Sequence, residues 1–360
     1  MSENHLISIL RSLHRQPCSQ AQLGRTLKFS KSYIHKLVQN LLIAGLIEKS
    51  EGRAYEQEQG RPRQDLRICR NIGCYAVLVI HTSWMFRVHL YRWGASEATA
   101  IRNLPQQDNC ADFAEALAGA VEGFVRECLK PGEKILAVVI ATQATLEQGE
   151  HGLMYRNNLL KDEKTRFSDF IAKRVGIRTF AYNYAYGLML SMLHSGVDIS
   201  FAMVLSCGEG SVALGFFLNH KVLLGVNNSF PECSHLPFKY GLEKSLGFWG
   251  PHTEEALFFA ISAIAPIYNL QRVYVAGTCF DEHPEVIRHV SLALRNSADP
   301  VLRDVVVEYR NEEIQNYFQE LVYLSFDAVA EVLNPQMHKR PLQEFLDEHT
   351  GQSGSLGADF

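Results

Sequence analysis

The chain has 360 residues, of which 47% are hydrophobic and 21% charged, as in a globular protein with sizeable cores. No apolar run approaches the roughly 20 residues that a membrane-spanning helix needs. The first ten residues lack the basic segment and the small-residue cleavage site of a secretory signal. We therefore expect a cytoplasmic protein with no membrane partner.

The net charge of −4 hides a basic first part. Residues 1–70 contain 12 Lys and Arg against 6 Asp and Glu, whereas the remainder contains 23 against 33. A basic amino-terminal module on an acidic body is typical of a DNA-binding module attached to a sensing or assembly domain.

Residues 1–70 predict a winged helix-turn-helix domain. Over residues 19–47 we predict two short helices joined by a tight turn and followed by a strand. Ser30 is a good N-cap for the second helix, because its hydroxyl can accept from an unpaired backbone N–H, and Gly45 ends that helix. The buried face of the helix is predicted by apolar residues at i, i+3, i+4 and i+7, namely Ile34, Leu37, Val38 and Leu41.

The opposite face of this helix is polar and basic. Such side chains reach phosphates and base edges when a recognition helix lies in the major groove. An ordinary helical hairpin with a solvated polar face is the alternative interpretation. The predicted DNA contacts on this helix are Ser30, Lys31, Ser32, Tyr33, His35, Lys36 and Gln39.

The polar segment 51–64 is predicted to form the wing tip and the linker to the body. It contains Gly60-Arg61-Pro62-Arg63. A Gly and a Pro around an Arg keep the backbone slim and extended, so we expect Arg61 and Arg63 to enter a narrow, A·T-rich minor groove. A flexible basic linker is the alternative.

From residue 73 onward, strands alternate with helices after initial hairpins, which predicts an α/β body of two lobes within residues 71–350. Residues 351–360 are predicted to be a disordered tail. The predicted strands are 75–80, 86–91, 134–141, 177–182, 201–206, 211–218, 222–224, 273–276 and 305–307. The predicted helices are 112–129, 167–175, 186–193, 254–268, 284–296 and a further helix within 311–333.

Residues 204–235, VLSCGEGSVALGFFLNHKVLLGVNNSFPECSH, are similar to a glycine-rich phosphate turn, a strand pair and a Gly-Glu…Gly-His motif of the ROK family of repressors and sugar kinases. Residues 60–62 and 177–186 resemble two further segments of that family. The resemblance covers nearly the whole chain. It implies an α/β fold in which a winged helix-turn-helix precedes a two-lobed, actin-like (ribonuclease H-like) ATPase-type domain. The matching positions hold Gly208, Gly210, Gly215, Gly225, Glu232 and His235.

The sequence departs from the family's kinases where their chemistry resides. His81 replaces the Asp of the first phosphate loop, Tyr184 replaces the catalytic Asp after Asn183, and Glu209 places a negative charge in the phosphate turn. A His does not organise Mg²⁺ and phosphoryl groups as a carboxylate does, and a phenol is a poor base at neutral pH. We therefore predict no phosphoryl transfer and no enzyme activity. A residual sugar kinase and a body that binds nucleotide without turnover are the alternatives.

The family's zinc-binding cysteines are missing after His235, so we expect no metal and no cofactor. Three positions that hold a hexose in the family are retained as Asn183, Glu232 and His235, and their donors and acceptors suit a polyol. The resemblance thus implies a sugar-like effector contacting Asn183, Tyr184, Glu232 and His235. The alternative is a relic cleft in which Glu232 and His235 cap a surface turn.

These features predict a DNA-binding transcriptional regulator, a repressor of carbohydrate-related genes. We expect it to bind a palindromic double-stranded DNA operator as a homodimer or higher homo-oligomer. An effector would shift the angle between the lobes, and with it the spacing of the DNA-binding modules. The alternative is a DNA-binding regulator that has no small-molecule effector and is controlled by a protein partner.

Overall fold

The structure is a computed structural model of the chain. It describes residues 5–50, 64–80, 86–104, 110–150, 152, 154–156, 166–195, 199–208 and 210–310, together with residues 322, 325, 326, 328 and 329. Within these described residues, no helix is both long enough and apolar enough to cross a lipid bilayer.

Residues 5–68, called the reader below, combine three helices with a three-stranded antiparallel sheet in the order β1-β3-β2. This is the predicted winged helix-turn-helix. Its elements are α1 (His5–Arg15), β1 (Cys18–Ser19), α2 (Gln20–Thr26), α3 (Lys31–Ile43), β2 (Ile47–Lys49) and β3 (Asp65–Ile68).

Local hydrogen bonds set where the reader helices begin and end. Ser19 and Gln22 form a reciprocal capping box at the start of α2, which satisfies two backbone amides that a helix leaves unpaired. The Ser30 hydroxyl caps α3 by accepting from the Tyr33 amide, as predicted. After α3, Gly45 adopts a φ of 70°, a left-handed conformation that suits glycine and turns the chain into β2.

The segment 51–63, which includes Arg61 and Arg63, lies outside the described residues. The described strands on either side of it, β2 and β3, pair antiparallel with Ile47 opposite Ile68. The segment therefore connects two strands of one sheet, as the predicted wing tip does, and is not the predicted linker between the domains. The connection from the reader to the body is residues 69–73 instead.

Residues 74–183 form lobe 1, a six-stranded sheet in the order β6-β5-β4-β7-β11-β9. The central strands β4, β7 and β11 are parallel to one another. Its elements are β4 (Cys74–Ile80), β5 (Phe86–Arg92), β6 (Ala100–Asn103), α4 (Cys110–Cys128), β7 (Ile135–Thr142), β8 (Thr145–Leu146), β9 (Gly149–Glu150), β10 (Met154–Arg156), α5 (Phe167–Val175) and β11 (Thr179–Asn183). Strands β8 and β10 pair separately as a small ribbon.

Residues 184–310 form lobe 2, whose five-stranded sheet has the order β14-β13-β12-β15-β16. Its elements are α6 (Tyr184–Ser195), β12 (Phe201–Gly208), β13 (Ser211–Leu218), β14 (Lys221–Leu223), α7 (Leu242–Gly247), α8 (Thr253–Tyr268), β15 (Arg272–Ala276), α9 (Thr278–Asp281), α10 (Glu285–Arg295), α11 (Pro300–Arg303) and β16 (Val306–Arg310). The short segment Val226–Asn228 is a 3₁₀ helix.

Both lobes follow the same path. In each sheet the first strand of the lobe lies inside the sheet, two antiparallel strands that follow it extend one side, and two parallel strands reached through helices extend the other. In lobe 1 the short antiparallel strand β9 is added outside β11. This repeated order confirms the predicted two-lobed, ribonuclease H-like body.

The predicted strands and helices of the body are present within a few residues of their expected bounds. The elements that the sequence analysis missed are short or carry no clear apolar period: β6, β8, β9, β10, α7, α9 and α11. The predicted helix within 311–333 lies mostly outside the described residues, and its five described residues are helical. The predicted tail, 351–360, also lies outside them.

The reader does not have a core of its own. Its apolar residues belong to one continuous cluster with one face of the lobe 1 sheet and with Val322, Phe326, Ala328 and Val329. The Phe326 ring lies between His14 of α1, at 5.1 Å, and Trp93 after β5, at 4.6 Å between centroids. Phe326 thus packs between the reader and lobe 1.

Candidate functional site

The recognition helix α3 has one buried and one exposed face, as predicted. Ile34, Leu37, Val38 and Leu41 are all buried. The side chains of Lys31, Ser32, His35 and Lys36 are exposed, and that of Gln39 is half-buried. The helix α3 therefore presents two lysines and several hydrogen-bonding groups to solvent. Side chains of these kinds contact phosphates and base edges.

Two of the predicted DNA contacts already have roles within the reader. The Ser30 hydroxyl accepts from the Tyr33 amide at 3.3 Å and is therefore used as a helix cap. The Tyr33 hydroxyl lies 2.8 Å from Nδ1 of His5 at the start of α1. Its ring packs edge-on against Phe29 and is 39% exposed. Tyr33 consequently leans toward α1, and its remaining exposed edge is what could meet DNA.

The structure adds basic residues that the sequence analysis did not select. Arg25 is exposed at the end of α2, and Lys28 is exposed in the turn before α3 with a φ of 55°. Gln20 on α2 lies 3.5 Å from Nδ1 of His35 on α3. The sequence could have indicated these basic residues, because the helix that precedes a recognition helix crosses the DNA backbone and favours basic side chains.

The second candidate site lies where the two lobes meet. Asn183 ends β11 and is paired in parallel register with Thr142, the last residue of β7. Because the carboxyl ends of parallel neighbours share one edge of the sheet, the turn over residues 144–148 lies beside Asn183. We call it the 144–148 turn.

Asn183 is buried, and its amide group bonds within the protein. Its Nδ2 donates to the Ala144 carbonyl at 3.2 Å, and its Oδ1 accepts from the Ala185 amide at 2.9 Å. Its backbone N–H donates to Oε1 of Gln148 at 3.1 Å. Asn183 therefore joins the 144–148 turn to the start of α6, and a ligand would find only the remaining hydrogen-bonding capacity of the amide.

Glu232 and His235 lie on an exposed loop of lobe 2. The Glu232 carboxylate accepts from the Thr145 hydroxyl at 2.7 Å and from the Ser234 amide at 2.8 Å. The structure thus brings Asn183 and Glu232 to the same 144–148 turn. His235 follows on the same exposed loop, and Tyr184 is buried at the first residue of α6.

Three further contacts hold lobe 2 to this turn. The backbone and side-chain amides of Gln148 donate to the Asn228 carbonyl at 3.4 Å and 3.3 Å. Glu147 forms an isolated antiparallel bridge with Ser229. The sequence analysis missed Thr145, Gln148 and Asn228. Polar residues that directly follow a buried strand beside the strand of Asn183 could have indicated the first two.

The glycine-rich turn of lobe 2 is engaged by its own lobe. The Gly210 amide donates to the Gly247 carbonyl at 2.9 Å. The Phe248 ring lies 2.8 Å from the position that a Cβ would take on Gly210, so the turn is packed under an aromatic side chain. Glu209 and His81, two of the predicted departures from a kinase, lie outside the described residues.

Across the described residues, no three His, Cys, Asp or Glu side chains are arranged to hold a metal ion. Cys233 lies between the two candidate effector contacts of this loop, Glu232 and His235, and is buried in the lobe 2 core. Burial raises the pKa of its thiol to about 12, so that it remains protonated at neutral pH.

Comparisons with known proteins agree with this architecture. Residues 7–54 match the model of the MarR family. The fold matches a crystal structure of a ROK family transcriptional regulator, a homologue of the E. coli MLC protein, with a TM-score of 0.69 and 15% identity over 93% of this chain and 98% of that one. It also matches a ROK family glucokinase from Streptomyces griseus in complex with glucose and AMPPNP, with a TM-score of 0.51 and 10% identity over 69% and 98% of the two chains.

No curated protein sequence matches the chain. At these identities the structural likeness shows the fold alone, a winged helix-turn-helix on a two-lobed α/β body. The match of the first part of the chain to the MarR family, together with this fold, supports a DNA-binding regulator.

Proposed function

We propose that this protein is a cytoplasmic transcriptional repressor of carbohydrate-related genes that binds a palindromic DNA operator as a homodimer or higher homo-oligomer. A sugar-like effector at the interlobe site releases it. The proposal rests above all on the exposed, basic face of α3, which is carried by a reader that shares its core with lobe 1 of the body. A reader attached in this way follows any movement of lobe 1, as a ligand-controlled repressor requires.

The DNA-binding part of the proposal is tested with Lys36→Ala. A random-sequence duplex library first yields a preferred sequence. Lys36 is exposed on α3, and the loss of one phosphate contact should weaken binding to most sequences and reduce the salt slope by about one. The matched control is Lys173→Ala, because Lys173 is exposed on α5 of lobe 1. Equal affinities for the two variants and wild type would remove Lys36 from the interface.

We also propose that Arg61 and Arg63 contact the minor groove of the operator. Arg61→Ala and Arg63→Ala should lose affinity selectively on operators with A·T-rich flanks. Equal loss on G·C-rich flanks would reject this assignment.

The effector part is supported by the exposed Glu232 carboxylate beside the 144–148 turn, because a carboxylate accepts from vicinal hydroxyls. Its test is a thermal-shift screen with hexoses, amino sugars and sugar phosphates. A ligand at 100 times its Kd adds about 2.7 kcal/mol to the free energy of unfolding. The shift should disappear in Glu232→Ala, and a shift that survives places the effector elsewhere.

The bonds of Asn183 favour a second candidate function. Because its side-chain amide already serves Ala144 and Ala185, the cleft could be a structural relic in a DNA-binding regulator that a protein partner controls. If this second candidate is right, no compound in the thermal-shift screen should raise the unfolding temperature, and operator binding should be normal.

We also propose that the body transfers no phosphoryl group. Tyr184, at the position of the family's catalytic Asp, is buried at the start of α6, and the Gly210 amide is committed to Gly247. We expect no ADP release from ATP with or without hexoses. Hexose-dependent ADP release would overturn this part of the proposal.

A further inference from the structure

The contact between Thr145 and Glu232 has the chemistry of a carboxylate bound to a ligand hydroxyl. Its donor is an aliphatic alcohol 2.7 Å from Oε2 of Glu232, the group that a polyol would present to the same oxygen. Hydrogen bonds to an ionised acceptor are stronger than neutral ones. A ligand hydroxyl must therefore either replace the Thr145 hydroxyl or use the lone pairs that remain.

The other hydrogen bond of Glu232 favours replacement of the Thr145 hydroxyl by a ligand hydroxyl. The other carboxylate oxygen of Glu232, Oε1, accepts from the Ser234 amide at 2.8 Å within the same loop. That bond is local to lobe 2 and holds the carboxylate in place. The Thr145 bond crosses between the lobes, and it joins two side chains at the exposed end of the contact.

Other described contacts between the 144–148 turn and lobe 2 do not use Thr145. They run from Glu147 and Gln148 to Ser229 and Asn228, and each involves a backbone group. Loss of the Thr145 bond thus leaves these contacts in place, so its effect can be measured in a folded protein.

We propose that Thr145 is an internal competitor for the effector at Glu232. This inference rests on the proposed function. An effector with vicinal hydroxyls displaces the Thr145 hydroxyl from Oε2 and thereby breaks one of the bonds between the lobes. The ligand class is a polyol or sugar with two adjacent free hydroxyls, and Thr145 sets both its affinity and its link to lobe separation.

The test compares Thr145→Val, which removes the hydroxyl, with Thr145→Ser, which keeps it. The control is Thr99→Val, because the Thr99 hydroxyl donates to the Leu90 carbonyl at 3.0 Å within lobe 1. Each protein is titrated with D-glucose, N-acetyl-D-glucosamine, D-mannose and their deoxy analogues by calorimetry and thermal shift. Thr145→Val should tighten the Kd about three- to tenfold. Thr145→Ser and Thr99→Val should match wild type.

The gain should vanish when Thr145→Val is combined with Glu232→Gln, because the two side chains act as one unit. A wild-type response that Glu232→Gln abolishes and Thr145→Val leaves unchanged or weakens overturns this inference alone. The absence of a response in both wild type and Thr145→Val overturns the effector assignment and the inference with it.

Discussion

The two lobes share a strand order but differ in what covers their sheets. In lobe 2, α6 covers one face and α7, α8 and α10 cover the other. In lobe 1, α4 and α5 cover one face, whereas the second face is buried under the reader and under Val322, Phe326, Ala328 and Val329. Helices thus cover both faces of the lobe 2 sheet, whereas one face of the lobe 1 sheet is the surface to which the reader attaches. The reader is an extension of lobe 1, and lobe 2 contacts that unit at the 144–148 turn and through Tyr186 of α6.

Among the changes that test this difference, Trp93→Ala should have the largest effect on stability. Trp93 is fully buried and stacks on Phe326 between lobe 1 and the reader. Truncation of a buried Trp costs about 3–5 kcal/mol of unfolding free energy. Hydrogen exchange should accelerate in lobe 1 and the reader together.

The matched change in lobe 2 is Phe280→Ala, because Phe280 is equally buried in its core. It should accelerate exchange in lobe 2 and leave reader amides protected. Reader amides that respond equally to both variants would show that the reader is not specifically part of the lobe 1 unit.

A second test uses pH. Burial, with a smaller contribution from Arg87, lowers the pKa of His89 in lobe 1 to about 4. Protonation then favours the unfolded chain, so stability is complete above a pH of about 6.5 and is lost as the pH falls toward 4. The expected loss is about 3 kcal/mol.

Urea unfolding of wild type and His89→Leu between pH 7 and pH 4 measures this loss. The variant should retain a smaller dependence from His14, whose pKa is lowered chiefly by burial. The described histidines in residues 199–310 are half-buried or exposed, so we expect the effect chiefly in lobe 1 and the reader. Parallel curves for the two proteins would disprove the assignment to His89.

A smaller effect is expected from Ser30→Ala, which removes the cap of α3. The loss should be about 1 kcal/mol. Because the reader shares its core with lobe 1, thermal unfolding should shift as one transition. A separate, earlier transition of the reader would contradict the shared core. Ser30→Asp restores an acceptor and should recover most of the stability.

The smallest effect is expected at the wing. Arg67 on β3 and Glu48 on β2 form an exposed ion pair with a 2.7 Å contact. Exposed pairs contribute about 0.2–1 kcal/mol and are screened by salt. Glu48→Gln should therefore change stability only at low salt. A larger loss that persists at high salt would mean that Glu48 stabilises the sheet by other means.

Sequence patterns were sufficient for elements with a strong period. The spacing from Ile34 to Leu41 fixed the buried face of α3, and the apolar runs of β4 and β7 marked the centre of lobe 1. Strands β8, β9 and β10 are two or three residues long, too short for any period to distinguish them from a loop.

The candidate sites were less predictable, because their side chains meet across long chain separations. Nothing near Glu232 indicates that its carboxylate faces Thr145, 87 positions earlier. Similarly, the polar character of Tyr33 predicted a DNA contact but not its bond to His5 in another helix. Residue type predicts what a group can bind, whereas tertiary packing decides what is already bound.

The position of Phe326 between His14 and Trp93 has a consequence for synthesis of the protein. The ribosome makes the reader before it makes Phe326, and domains otherwise fold as they emerge. A chain that stops early would carry all of α3 and still lack the side chains that complete its support. We expect the reader of such a chain to be less stable than the reader of the full sequence, because the core that it shares with lobe 1 is incomplete.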